Sequence, residues 1–316
     1  MNKVMHEHPL VSVLMITFNQ EKFIAQAIES VLMQHVNFNY EIVIGEDCST
    51  DQTRDIVLEY QEKNSDSIKL LLQDKNVGMH NNFIDTFYSC RGKYIALLEG
   101  DDYWTDPHKL QKQVDFLEDN PDFAICFHNM QIIYEGMPHL NRISNTRQKE
   151  ITSINNLAFG NYIYTASCIF RNNLHKIPDW FHQCPVGDYP LHLLNAQYGK
   201  IKFINEIMGV YRIHQGGIWE NKSYAYRLKE SIKMLEIIRT KFDKKINRML
   251  NSSLYNYSFK LAIYHLMQGN VAKYKFYYSK IMGGKHFFLN MLRILFLSLF
   301  YFFKYARKPN SNKSLT

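Results

Sequence analysis

The chain has 316 residues, 46% of them hydrophobic and 14% aromatic, which is enough apolar material for a large packed body and excludes a disordered protein. Its net charge of +7 hides a division: residues 1–220 hold 18 Lys and Arg against 27 Asp and Glu, whereas residues 221–316 hold 19 against 3. An acidic body carries a basic tail, and such a tail reads as a binder of anionic surfaces. Five cysteines (Cys48, Cys90, Cys126, Cys168, Cys184) with no C-x-x-C pair exclude a zinc knuckle and a disulfide framework, and point to a reducing compartment. Residues 1–9 lack the apolar core of a signal peptide, so the expected location is the cytoplasm.

In chain order, residues 11–17 form a continuous apolar run, the pattern of a strand covered on both faces. A helix follows with Phe23, Ile24, Ala27, Ile28, Val31 and Leu32 at helical spacing. A strand over 40–44 ends at Glu46-Asp47, and Ser49-Thr50-Asp51 starts a second helix. Residues 68–72 are a third strand, 82–89 a short helix and 94–98 a buried strand. Three carboxylates, Glu99, Asp101 and Asp102, then arrive within four residues. Asp106 as N-cap and Pro107 as first helical residue open a helix to 118. Residues 123–129 read as a strand extended by 131–134, and 135–150 as a polar mobile loop. Shorter strands are expected over 163–170 and 201–204, with a helix over 191–196 between them. Beyond Ser223 the pattern is helical and rich in Lys, Arg and Tyr.

Strand–helix alternation of this kind builds a doubly wound sheet that is mainly parallel. Both acidic clusters fall just past strand C-terminal ends, where open α/β sheets bind ligands. Carboxylates packed this tightly repel one another. A hard divalent cation that also grips a diphosphate fits them best, and a solvated acidic turn is the plain alternative.

Six segments, in order, carry a family resemblance: VSVLMITFN, EIVIGEDCSTDQT, NVGMHNN, LLEGDDYWTDPHKLQKQVDFLE, GDYPLHL and GVYRIHQGG, spanning residues 11–217. Together they resemble the inverting family 2 glycosyltransferases. The resemblance implies a glycosyltransferase-A fold over 1–220, with a helical basic extension over 221–316. It implies transfer of a sugar from a nucleotide-diphosphate donor, a UDP-sugar, to a hydroxyl of a cell-surface glycan or lipid-linked acceptor, with Mg or Mn as cofactor.

The same resemblance assigns roles. Thr17 and Asn19 line the nucleotide pocket. Asp47, with Glu46 beside it, accepts a hydrogen bond from the nucleobase. Cys48 stands where the family has Gly, so a positive φ there would strain it. Asn76 and Gly78 let the backbone approach the donor. Glu99-Gly100-Asp101 occupies the place of the family's Asp-x-Asp. Asp101 is the expected direct metal ligand, and Glu99 acts through the ribose or a water. Asp102 is a further ligand or supports one, placed with Trp104 and Arg212 on the acceptor side. His214 reaches the metal or the diphosphate. Asp188 is the general base that takes the acceptor's proton; without the resemblance it reads as a helix cap.

Residues 286–308 project as an amphipathic helix interrupted by Arg293, too short in apolar length to span a bilayer. The expectation is a helix lying in an anionic membrane surface at the inner face of the plasma membrane. Packing on the body or an oligomer contact is the alternative. No recognition motif accompanies the charge, so nucleic acid is not expected as a partner. A dehydrogenase is excluded because no G-x-G-x-x-G follows the first strand. A non-catalytic sugar-nucleotide or glycan-binding module is the remaining rival, and it has no need of a base at Asp188.

Overall fold

The structure, a computed structural model, describes residues 8–217, 219 and 222–282. The segment 286–308 lies outside the described residues. The chain divides into two compact units, Met1–Asn221 and Lys222–Thr316.

In the first unit, β1 (Val11–Thr17), α1 (Ile24–Leu32), β2 (Tyr40–Glu46), α2 (Thr53–Lys63), β3 (Ile68–Leu72), α3 (Met79–Ser89) and β4 (Tyr94–Leu97) alternate as expected. Then come β5 (Tyr103–Trp104), α4 (Lys109–Asp119), β6 (Phe123–Tyr134), β7 (Arg142–Ile143), β8 (Ile151–Thr152), α5 (Ile154–Leu157), β9 (Ile169–Arg171), α6 (Asp188–Asn195) and β10 (Lys200–Ile213). One sheet runs β3-β2-β1-β4-β9-β6-β10-β5. The first four strands are mutually parallel, as are β6 and β10. β9 is antiparallel to both β4 and β6 and joins the two parallel runs. The fold is α/β, with a parallel half over β3-β2-β1-β4 and a mixed half beyond it.

β1 is central and wholly apolar except for Ser12 and Thr17, both buried, because both of its faces are covered. Val11, Val13 and Met15 pack with Ile24, Ala27 and Ile28 of α1 and with Trp104, Leu110 and Val114 in one core. α3 lies over β1 and β2, fixed by the Asn82 amide donating to Gly45 O at 2.8 Å.

Several boundaries differ from expectation. The helix expected from Pro107 starts at Lys109. Asp106 Oδ1 instead accepts the His108 N–H at 2.8 Å, in the turn before the helix. The 135–150 stretch is not a plain loop: a 3-10 turn and β7 fold it back on β6. Residues 163–170 are not one strand, because Thr165–Ser167 forms a 3-10 turn before β9. Most consequentially, 201–204 and the Val210-Tyr211-Arg212 motif belong to one strand, β10, whose register against β6 shifts around Ile204 and Ile207. A single strand thus runs from Lys200 to Ile213 and delivers its last residues to the acidic turn.

The second unit is helical: α7 (Tyr224–Ile238), α8 (Lys244–Met267) and α9 (Val271–Met282). Ser223 and Asp243 cap α7 and α8 through side-chain acceptors. Among the described residues no helix is long and apolar enough to cross a membrane.

Candidate active site

The site begins at the tip of β1. The Asp47 N–H donates to Thr17 O at 3.1 Å, and the Gly100 N–H donates to Ile16 O at 3.2 Å. Both acidic loops therefore hang on adjacent residues of one strand end. A Cβ on Gly100 would lie 2.9 Å from Thr17 Oγ1 and 2.4 Å from Gln20 Oε1, so only Gly brings this turn so close to the strand tip.

Asn19 closes the neighbouring corner in a left-handed conformation that Asn tolerates (φ 52°). Its Oδ1 accepts the Thr50 N–H at 2.8 Å, and its own N–H donates to Ser49 Oγ at 2.9 Å. Cys48 sits at φ 57°, the strained conformation that its substitution for Gly raised in prospect. Asp47 accepts the Val77 N–H at 2.7 Å on Oδ1 and the Gly78 N–H at 3.0 Å on Oδ2. Gly78 (φ 84°) caps α3, so a carboxylate meets a helix N-terminus, a favourable pairing. A carboxylate has four lone-pair sites, and two remain for a donor from outside. Asn76, beside this contact, is exposed.

Glu46 departs from its expected role. It is fully buried, paired with the Arg54 guanidinium and accepting the Ser49 N–H at 2.6 Å. Its neutralised carboxylate braces the loop from behind and faces no ligand.

The second acidic loop gathers Glu99, Asp101 and Asp102, one oxygen of each lying within 4.8 Å of the others. Burial, then Asp101, then Asp188 push Glu99 up to about 8. Burial first, and then Asp101 and Glu99, hold Asp102 well above the usual carboxylate range. Asp102 Oδ1 accepts the Arg212 N–H at 2.9 Å, while the buried Oδ2 has no partner among the described residues. An orphaned buried oxygen, three convergent carboxylates and too little positive charge fit a divalent cation with oxygen ligands.

β10 supplies the other side. His214 Nδ1 accepts the Gly216 N–H at 3.2 Å, so Nε2 carries the proton and faces Asp101 Oδ2 at 3.1 Å. Ligation of an ion through Nε2 would require the other tautomer. The Arg212 guanidinium donates to Asp101 O at 2.7 Å and to Gln26, between the rings of Phe23 and Tyr103.

Three acceptor-side assignments are corrected here. Arg212 is 8% exposed and spends its donors inside the protein. Trp104 is core: its Nε1–H donates to Ala166 O at 2.7 Å, and Lys109 Nζ lies 3.7 Å above the ring. Asp102 is 1% exposed and belongs to the buried side of the acidic cluster itself.

Asp188 is the first residue of α6, after Gly187 as N-cap. Burial raises its pKa, against donors from Tyr189, its own N–H and Asn161. Its charge contributes, after burial and Asp101, to the raised pKa of Glu99.

A sequence profile described as glycosyl transferase family 2 matches residues 12–177. The chain belongs to the family 2 glycosyltransferases. An uncharacterized protein of Mycobacterium bovis, Mb1547, is 37% identical over 221 residues, which are 69% of this chain and 63% of that protein. This chain therefore spans less than two thirds of the length of that relative. The Escherichia coli protein WfaP, named a UDP-Glc:alpha-D-GlcNAc-diphosphoundecaprenol beta-1,3-glucosyltransferase, is 26% identical over 265 residues, 81% of this chain and 95% of its own. Among solved structures, the mannosyltransferase PcManGT from Pyrobaculum calidifontis, in complex with GDP-Man and Mn2+, superposes with a TM-score of 0.56. It is 12% identical, covering 95% of this chain and 88% of that one, and shows the shared glycosyltransferase-A fold.

In this glycosyltransferase two residues near the start of α6 were given no role by the sequence. Asn161 Nδ2 donates to Asp188 Oδ2 at 2.8 Å from an irregular loop. His80 of α3 lies beside Gly187 and sets its ring edge against Phe181. Only the tertiary fold brings either to the start of α6.

Proposed function

We propose that this family 2 glycosyltransferase moves a sugar from a UDP-sugar to a hydroxyl of a cell-surface glycan or lipid-linked acceptor, inverting the anomeric carbon. The observation that carries the reading is the convergence of Glu99, Asp101 and Asp102 past the strand tips, with the buried Oδ2 of Asp102 unpartnered among the described residues. WfaP, with its UDP-Glc donor and diphosphoundecaprenol-linked acceptor, supports this donor and acceptor class.

Thr17, Asn19, Asp47, Asn76, Gly78 and Gly100 form the donor side, with Asp47 offering a nucleobase its free lone pairs. A Mg or Mn ion held by Asp101, with Glu99 and Asp102 and with His214 beside it, would stabilise charge on the departing diphosphate; PcManGT, with Mn2+, supports this. Asp188 accepts the proton of the acceptor hydroxyl, whose oxygen attacks from the face opposite the diphosphate. Burial raises the proton affinity of Asp188, which suits a general base better than an exposed aspartate would.

The proposed location is the inner face of the plasma membrane. Leu266, Met267, Val271 and Phe276 are exposed around the α8–α9 turn, with Lys273 and Lys275 among them, a composition suited to anionic lipid. Sedimentation with phosphatidylglycerol vesicles tests this; the K273E/K275E variant should lose binding, and equal binding by both proteins would refute it.

The central test is a thermal-shift and turnover screen of UDP- and GDP-sugars with Mn2+. One UDP-sugar should stabilise the protein and release UDP, and Asp188→Asn should retain the stabilisation while losing transfer. Full transfer by Asp188→Asn would end this reading.

A further inference from the structure

The loop between α5 and the 3-10 turn at Thr165 supplies a side-chain partner to Asp188. Asn161 Nδ2 donates to Asp188 Oδ2 at 2.8 Å. The amide cannot be turned around, because its Oδ1 accepts the Ile163 N–H at 3.1 Å. Asn161 must therefore present its donor to Asp188. The loop is also bolted to α6 one residue further on. The buried Tyr189 hydroxyl donates to Leu157 O at 2.9 Å, and Leu157 is itself fully buried. Tyr162, next in the chain, is tied down from two directions: its hydroxyl pairs with Thr152 Oγ1 at 2.8 Å, and its carbonyl accepts the Asn145 amide at 3.2 Å.

Between these anchors stands Phe159, two residues before Asn161 and so within about 7 Å of it along the chain. It is 57% exposed on a loop that is otherwise held rigidly. An exposed aromatic ring on the loop that holds Asp188 suits the apolar C–H face of a sugar.

We propose that residues 159–161 form the acceptor wall of the site. Asn161 is a positioning residue that engages Oδ2 of Asp188 and fixes the plane of its carboxylate, so that a remaining lone pair is aimed at the acceptor proton; Phe159 is the surface on which the acceptor sugar rests. The ligand class is a glycoside presenting a free hydroxyl. The inference rests on Asp188 being the base. Fixing one oxygen matters because proton transfer needs the receiving lone pair aligned with the hydroxyl, and misplacement by about 1 Å costs orders of magnitude in rate.

The test uses the full chain with Mn2+, a mixture of UDP-glucose, UDP-galactose, UDP-N-acetylglucosamine and GDP-mannose, and octyl glycosides as acceptor probes. Asn161→Asp keeps the shape and removes the donor, so it should fold and lower kcat at least tenfold with donor KM within twofold. Asn161→Ala should do the same. Phe159→Ala should raise acceptor KM at least fivefold with donor KM unchanged, and Phe159→Tyr should restore it. Unchanged kcat in both Asn161 variants, while Asp188→Asn is inactive, overturns this proposal alone. Full activity of Asp188→Asn, or a wild type that releases no nucleotide, overturns the underlying reading and this proposal together.

Discussion

His214 Nε2 stands 3.1 Å from Asp101 Oδ2, joining the last turn of the first unit to a residue 113 positions earlier. The contact exists because β10 runs on past its register shift to the acidic turn. From the same strand end, the Arg212 N–H holds Asp102 and its guanidinium holds Asp101 O. One strand terminus thus fixes two acidic residues through three separate contacts.

If Asp101 is the principal ion ligand, Asp101→Ala should abolish Mn2+-dependent stabilisation by the donor and lower turnover by about two to three decades. Wild type in EDTA should behave alike. Thermal melts with UDP-sugar, with and without Mn2+, read both effects, and undiminished turnover in EDTA would count against the metal.

Asp188→Asn keeps the shape and N-terminal position on α6 but removes the proton acceptor. Transfer should fall by about two to four decades while the melting temperature stays close to wild type. Steady-state kinetics at saturating donor measures the first, and calorimetry the second.

Cys48 holds φ 57° with a Cβ present. Cys48→Gly removes a penalty of about 1–2 kcal/mol and adds about 0.5–1 kcal/mol of unfolded-state entropy. The net expectation is a rise in melting temperature of about 1–3 °C. A lower melting temperature would show that the turn draws stability from the cysteine side chain.

Lys109 is fully buried over the Trp104 ring with no hydrogen-bond partner among the described residues, and burial pulls its pKa down to about 7. The unfolded chain keeps an ordinary lysine near 10.4 and so binds more protons than the folded one between these values. Stability should therefore rise as pH climbs from about 7 towards 10, and level off below 7. Lys109→Met should remove that slope and stabilise at neutral pH by on the order of 2–4 kcal/mol. Urea melts across pH 6–10 decide it; parallel slopes for the two proteins would refute the assignment.

The strand tips were legible because apolar runs end abruptly in carboxylates, and that pattern needs no tertiary information. β10 was not, because Asn205 and Glu206 interrupt its apolar pattern where the register shifts. Trp104 looks the same in sequence whether it borders a sugar or fills the core. Ala166, 62 residues away, decides the matter by accepting its indole N–H. Glu46 and Asp47 are adjacent carboxylates, separated in role only by Arg54, which pairs with one of them. Asn161 is one asparagine among many and belongs to no motif; contact with Asp188 alone distinguishes it.

The clasp of Asp47 on the Val77 and Gly78 amides bears on any attempt to retune donor choice. Those amides belong to the main chain, so exchanging the side chain at position 77 leaves them in place. On the proposed reading, a ring entering the site would bond to an aspartate whose orientation is already dictated by the start of α3. Altering which nucleotide is accepted would therefore call for lengthening or shortening the 74–78 connection, and a library of side-chain swaps there would return enzymes with the parental preference.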